Sequence, residues 1–147
     1  MADRVQYKLT GADALSAKFR ELSVGMRTKV VLPAAKDAMD VVLRDAKDRA
    51  SQIDDPATAN DISANLALME RKAISEELGA VVVSVGVKKS IRGRLGGNTY
   101  YWWWVELGTE TARAHPFVRP ALENNKQAVF SEFLSSAKYQ LLKLGVN

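Results

Sequence analysis

Apolar and polar positions change their period several times along this chain, and each change marks a new element. Val5-Gln6-Tyr7-Lys8-Leu9 alternates as a short strand does, until Thr10-Gly11 breaks it. Asp13 can cap a helix in which Leu15, Phe19 and Leu22 recur at helical spacing, an amphipathic element predicted to end near Val24 and Gly25. Over residues 28–52, Val31, Ala35, Ala38, Val42, Ala46 and Ala50 hold steps of three and four. Opposite charges four apart (Lys36 and Asp40, Asp40 and Arg44, Arg44 and Asp48, Asp45 and Arg49) add to this pattern, predicting a long helix with a narrow Ala/Val seam that a neighbouring backbone can approach closely. Pro33 falls in its first turn, where a missing N–H does no harm.

A polar linker around Asp54, Asp55 and Pro56 ends this helix. Residues 62–78 can be written as a helix, but Val81-Val82-Val83-Ser84-Val85-Gly86-Val87 is a β-branched strand and needs a partner. That need favours a hairpin with residues 66–73 as first strand, a turn at 76–79 and a short helical turn over 61–65. Residues 88–98 carry Lys88, Lys89, Arg92 and Arg94 among three glycines and predict an exposed, mobile basic loop. In the aromatic block of residues 100–107, Tyr101 and Val105 would share a helical face whereas Trp102 and Trp104 would share a strand face, so spacing leaves helix or strand open. Pro116 and Pro120 then flank Phe117, and Phe130, Phe133, Leu134, Ala137, Leu141 and Leu144 predict a final helix stopped by Gly145. The order of elements predicts one α+β domain over residues 1–147, a small antiparallel sheet with two long helices and one short helix packed on one face.

Composition narrows the function more than the fold. With 147 residues, 47% of them apolar, one core can form without metal or disulfide support. The absence of cysteine excludes thiolate metal sites, iron–sulfur clusters and cysteine nucleophiles. No leader-like apolar region opens the chain and no window suits a membrane span, so no membrane partner is expected. The net charge of +4 arises from 21 basic and 17 acidic residues, which solubility alone would explain. His115, the one histidine, has only Glu106 or Asp61 as conceivable catalytic partners, and nothing spaces it against a nucleophile. Gly93, Gly96 and Gly97 lack the context of a phosphate loop, and Asp54 and Asp55 lack calcium-loop spacing. No catalytic residue, cofactor or metal is therefore expected, and the chain is read as no enzyme.

The stretch Tyr101-Trp102-Trp103-Trp104-Val105-Glu106-Leu107-Gly108-Thr109, followed by Ala114-His115-Pro116-Phe117-Val118-Arg119-Pro120-Ala121-Leu122-Glu123, carries a resemblance. It resembles the tail-completion or minor tail (neck) proteins of lambdoid-type long-tailed siphophages, which pair an aromatic Val-Glu-Phe-Gly-Thr segment with a Pro-Phe-Leu-Arg-Pro-Ala segment at the head of their last helix. Leu107 and Val118 depart from that pattern but remain apolar. The resemblance implies a structural virion protein at the head–tail junction, one subunit of a sixfold ring contacting neck and tail-terminator proteins and assembled in the bacterial cytoplasm.

Physics alone gives these blocks a reason. Gly108 permits a sharp turn, Pro116 and Pro120 stiffen the return, and the two blocks form a fixed elbow. Glu106 among tryptophans needs a partner, for which Arg113 and Arg119 are the candidates. Trp102, Trp103 and Trp104 are expected to divide between core and interface, and the long helices to carry subunit contacts through their charges. A competing reading is a small nucleic-acid-binding module using Lys88, Lys89, Arg92 and Arg94 with the aromatics of residues 100–104. So apolar a run suits a core or interface better. Within a ring threaded by phage DNA, the basic loop would either touch phosphates without sequence preference or dock onto an acidic neighbour.

Overall fold

The structure, a computed structural model, describes residues 24–57, 61–87 and 99–145. The expected strand at residues 5–9, the helix led by Asp13 and the basic loop lie outside these residues. A single helical turn, Val24–Met26, runs through a π-helical turn, Arg27–Val31, into the long helix α1, Leu32–Ser51. Gly25 thus continues a helix where the sequence suggested an end. The π turn has a local cause: Pro33 has no N–H for the carbonyl four residues back, and the wider turn, closed by the Leu32 N–H on the Arg27 carbonyl, gives its ring room.

The buried row of α1 is Ala34, Ala38, Val42, Ala46 and Ala50, continued upstream by Val30. Ala34 takes the place expected of Ala35 because the row steps strictly by four. Each such step turns roughly 40° further around the axis, so the row winds over the helix. Its upstream end therefore meets one neighbour and its downstream end another. Val30 and Ala34 pack with Ala137, Phe133 and Leu141, whereas Val42, Ala46 and Ala50 pack with Ile62, Leu66, Val85, Phe117 and Ala121. Of the expected charge pairs, Arg44 reaches Asp40 at 3.1 Å and Arg49 reaches Asp45 at 3.0 Å, while Lys36 turns to Glu70 at 3.6 Å.

After α1 come the short helix α2 (Ile62–Asn65), strand β1 (Leu66–Glu70), helix α3 (Lys72–Leu78) and strand β2 (Val83–Val87). The strands pair antiparallel, from Leu66 opposite Val87 to Glu70 opposite Val83. The first strand is thus shorter than residues 66–73, and its connection is a two-turn helix where a turn at 76–79 was expected. Ala73, Glu76, Glu77 and Leu78 are good helix formers, and Gly79, at φ +60°, supplies the left-handed residue that closes α3.

Helices α4 (Trp102–Leu107), α5 (Val118–Asn124) and α6 (Lys126–Lys143) complete the chain. The expected single last helix is broken at Asn125, whose side-chain amide donates to Ala121 O at 2.8 Å and to Asp45 Oδ2 on α1 at 2.7 Å. Gly145, at φ +76°, ends α6. The fold is α+β: a two-stranded antiparallel sheet with α1 packed on both strands and α6 alongside α1.

Candidate functional site

The aromatic block forms a helix, which resolves the open choice between helix and strand. Trp102, Val105 and Glu106 lie on its inner side, and Trp103, Trp104 and Leu107 face outward. Trp102 packs edge-on against the buried Phe117, with ring centroids 6.4 Å apart. It also lies over Gly86 of β2, where a Cβ would come 3.4 Å from its ring and 2.9 Å from the Met69 methyl. Gly86 thus makes room for an indole on the strand.

Gly108 ends α4 at φ +79°, and a Cβ there would sit 2.9 Å from the Ala114 nitrogen. Both facts require glycine. The chain then reverses in a turn in which the Thr109 N–H donates to Ala112 O and the Thr109 hydroxyl accepts from the Ala112 N–H, both at 2.9 Å. The returning segment lies on α4 through the His115 N–H donated to Val105 O at 2.7 Å.

Glu106 closes the elbow. Its buried carboxylate accepts from the backbone N–H groups of Phe117 (2.7 Å), Val118 (3.0 Å) and Arg119 (2.9 Å). Those are the orphan donors at the start of α5, and the next residue, Pro120, has no N–H to satisfy. One carboxylate therefore caps a whole helix start and ties it to α4. The expected guanidinium clamp is displaced by these amides: Arg119 Nε stands 4.0 Å from Oε1 on a half-exposed side chain, and Arg113 is exposed. Pro116 is exposed just ahead of this cap, and His115 is exposed with its backbone engaged.

Tyr100, Trp103, Trp104 and Leu107 form an exposed plate on the outside of the elbow. The two tryptophans stack, with centroids 5.5 Å apart and planes 27° apart, and Tyr100 meets Trp104 edge-on at 5.7 Å. Tyr101 and Trp102 turn inward, so the aromatics divide between core and surface.

A second carboxylate junction holds the start of this segment, and sequence reasoning passed over it by treating Asp54 as a linker residue. Asp54 accepts from the N–H groups of Ile62 (2.8 Å) and Ser63 (3.0 Å), and Asp61 accepts from the Ala64 N–H (3.0 Å) and the Ser63 hydroxyl (2.7 Å). Burial, then its hydrogen bond with Asp61, raises the Asp54 pKa above the ordinary 3.8. The same bond, then the Ala64 amide, lowers that of Asp61. Burial and the charges of both raise the Tyr101 phenol. Beside them Asn65 Nδ2 donates to Thr99 Oγ1 at 2.9 Å, both residues being buried. The signal for this junction was Asp61 itself, an N-cap residue directly ahead of Ile-Ser-Ala.

The signs of these shifts make a prediction. Above 3.8 the folded chain holds a proton at Asp54 that the unfolded chain has released, so this group's contribution falls as pH rises through its raised pKa. For Asp61 the contribution is lost as pH falls below 3.8 through its lowered pKa. In urea melts from pH 3 to 7, Asp54→Asn is expected to lose the fall in stability above 3.8 while keeping the acid-side loss. A wild-type profile reproduced unchanged by the variant would contradict the assignment.

Lys88, Lys89, Arg92 and Arg94 lie outside the described residues. Among the described residues no three acidic, histidine or cysteine side chains group to hold a metal, and no helix is long and apolar enough to cross a membrane. No protein family, curated protein or solved structure matches this chain.

Proposed function

We propose that the chain is a structural, non-enzymatic virion subunit at the head–tail junction of a long-tailed phage, working in an oligomeric ring, sixfold in symmetry, between neck and tail-terminator proteins. The observation that carries this reading is the Glu106 cap. It joins the two blocks on which the phage resemblance rests into one rigid elbow, and that elbow holds an aromatic plate out toward solvent. A plate of large rings held rigidly at the surface suits adhesion, since its ordering cost is met before any partner arrives. Gold-labelled antibody against the chain is expected to mark the neck of intact phage particles. Purified particles free of the protein would overturn the proposal.

Exposed indoles also favour a second reading, a module that stacks single-stranded nucleic acid beside Lys88, Lys89, Arg92 and Arg94. The structural reading is preferred because Trp103 and Trp104 already cover one another's faces. A random oligonucleotide shifted at physiological salt, with the shift lost on serine replacement of those four cations, would favour the nucleic-acid module.

A further inference from the structure

Strand β2 has an outer edge that its sheet does not use. The Arg71 N–H donates to Val82 O at 2.9 Å, continuing the register of β1 with β2, and this fixes which backbone groups face which way. Ser84 and Gly86 exchange hydrogen bonds with Met69 and Ala67, so the N–H and C=O groups of Val83, Val85 and Val87 point away from β1. Among the described residues, none of these outward groups has a hydrogen-bond partner. The strand also lacks the devices that blunt an exposed edge: no charge, proline or bulge interrupts Val83-Ser84-Val85-Gly86-Val87. Such an edge is a template for another strand.

An apolar groove runs beside it. Val83 lines the groove from the sheet, Ala35 and Met39 from α1, and Val129, Phe130 and Phe133 from α6, with no β1 residue among them. Phe130 is left 39% exposed there. Val85 packs with Val42 and Ala46 of α1, and Val83, two positions away, shares its face. A strand added at this edge therefore lays alternate side chains over the groove.

We propose that residues 5–9 of the same chain pair with the outer edge of β2 as a third strand, placing Val5, Tyr7 and Leu9 over the groove and Gln6 and Lys8 on the opposite face. Val5-Gln6-Tyr7-Lys8-Leu9 has the five-residue length of β2, and its strict alternation gives one apolar face for the groove and one polar face for solvent. The connection reaches. Arg27 lines one hollow with Val81, so the described chain starts near the Val83 end of the edge. Even with residues 13–22 drawn into a helix of about 15 Å, residues 10–23 span the roughly 17 Å of β2. A link this short holds the strand at an effective concentration on the order of millimolar, which favours the chain's own segment over that of a second copy. The pairing is independent of the ring reading.

Backbone amide exchange of the full chain, read by NMR, tests it. In the wild type the Val83 and Val85 amides are expected to exchange as slowly as those of Ser84 and Gly86, which β1 protects, and backbone Overhauser contacts are expected between residues 5–9 and 83–87. Tyr7→Pro with Lys8→Pro removes the central donor whether the added strand runs parallel or antiparallel to β2. This double variant is expected to speed Val83 and Val85 exchange at least about tenfold while Ser84 and Gly86 stay protected. Fast Val83 and Val85 exchange in the wild type, beside protected Ser84 and Gly86, overturns the pairing, and so does protection that survives the two prolines. If the variant loses Ser84 and Gly86 protection as well, the Overhauser contacts of the wild type decide alone, and their absence overturns the pairing. Contacts found only between a labelled and an unlabelled copy in a mixed sample assign the edge to a second chain and overturn the intramolecular strand.

Discussion

Glu106→Ala is expected to destabilise the chain by about 3–5 kcal/mol, lowering the melting temperature by roughly 10 °C or more. The magnitude comes from the groups left behind. Three backbone N–H groups at the start of α5 now share one buried carboxylate, and alanine removes the acceptor of all three, with the Phe117 N–H left buried. Folded domains are stable by about 5–15 kcal/mol, so this one change removes a large part of the total. Glu106→Gln keeps the shape but turns its amide group toward an N–H donor, and is expected to fall between the wild type and alanine. Arg119→Ala separates the amide cap from an ion pair. At 4.0 Å and half-exposed, that guanidinium is expected to contribute less than about 0.5 kcal/mol. Urea melts of the three variants check the order, and a loss in Arg119→Ala equal to that in Glu106→Ala would refute the amide cap.

Phe117→Ala is expected to cost a similar amount, about 3–5 kcal/mol, for a different reason. Phe117 has no exposed surface and packs in the core that holds Val42, Ala46 and Ala50 of α1 and Ala121 of α5. Its ring also supports Trp102. Truncation opens a cavity between the elbow and α1 that backbone tied by Glu106 is poorly able to close. Phe117→Leu, which refills much of that volume, is expected to retain most of the stability. Tryptophan emission provides a second readout: in Phe117→Ala, Trp102 becomes wetter and emission moves to longer wavelength. Equal stability of Phe117→Leu and Phe117→Ala would mean that the site collapses freely and that the elbow is not tightly packed.

Both variants act on a joint that the sequence showed only in part. The two motif blocks stood out through their aromatics, prolines and glycine, and the need of Glu106 for a partner followed from its setting. The partner itself was invisible, because three backbone amides carry no side-chain signature, whereas Arg113 and Arg119 are conspicuous along the chain. Helix α1 was legible from its steps of three and four together with its charge pairs. The slip from Ala35 to Ala34 reflects how an alanine row exposes little difference between adjacent positions. The helix-or-strand choice for the aromatic block stayed open because the block is eight residues long and its helix only six, too few for either period to declare itself. It was decided by tertiary bonds, the His115 amide on Val105 and the Glu106 cap. Helix α3 was obscured by the valine strand, whose demand for a partner pulled residues 66–73 into one long strand and left Gly79 to read as a turn residue instead of a helix cap. Asn125 broke the last helix by bonding Asp45 across to α1, a contact no local pattern announces.

In the proposed reading, the elbow and its aromatic plate shape a protomer that joins copies of itself. Sedimentation velocity of the purified wild-type chain over a wide concentration range weighs that claim most directly. Closed particles of six 16.2 kDa chains, with no continuous series of larger species, are the predicted result; a single 16.2 kDa species at every concentration is the result that contradicts it.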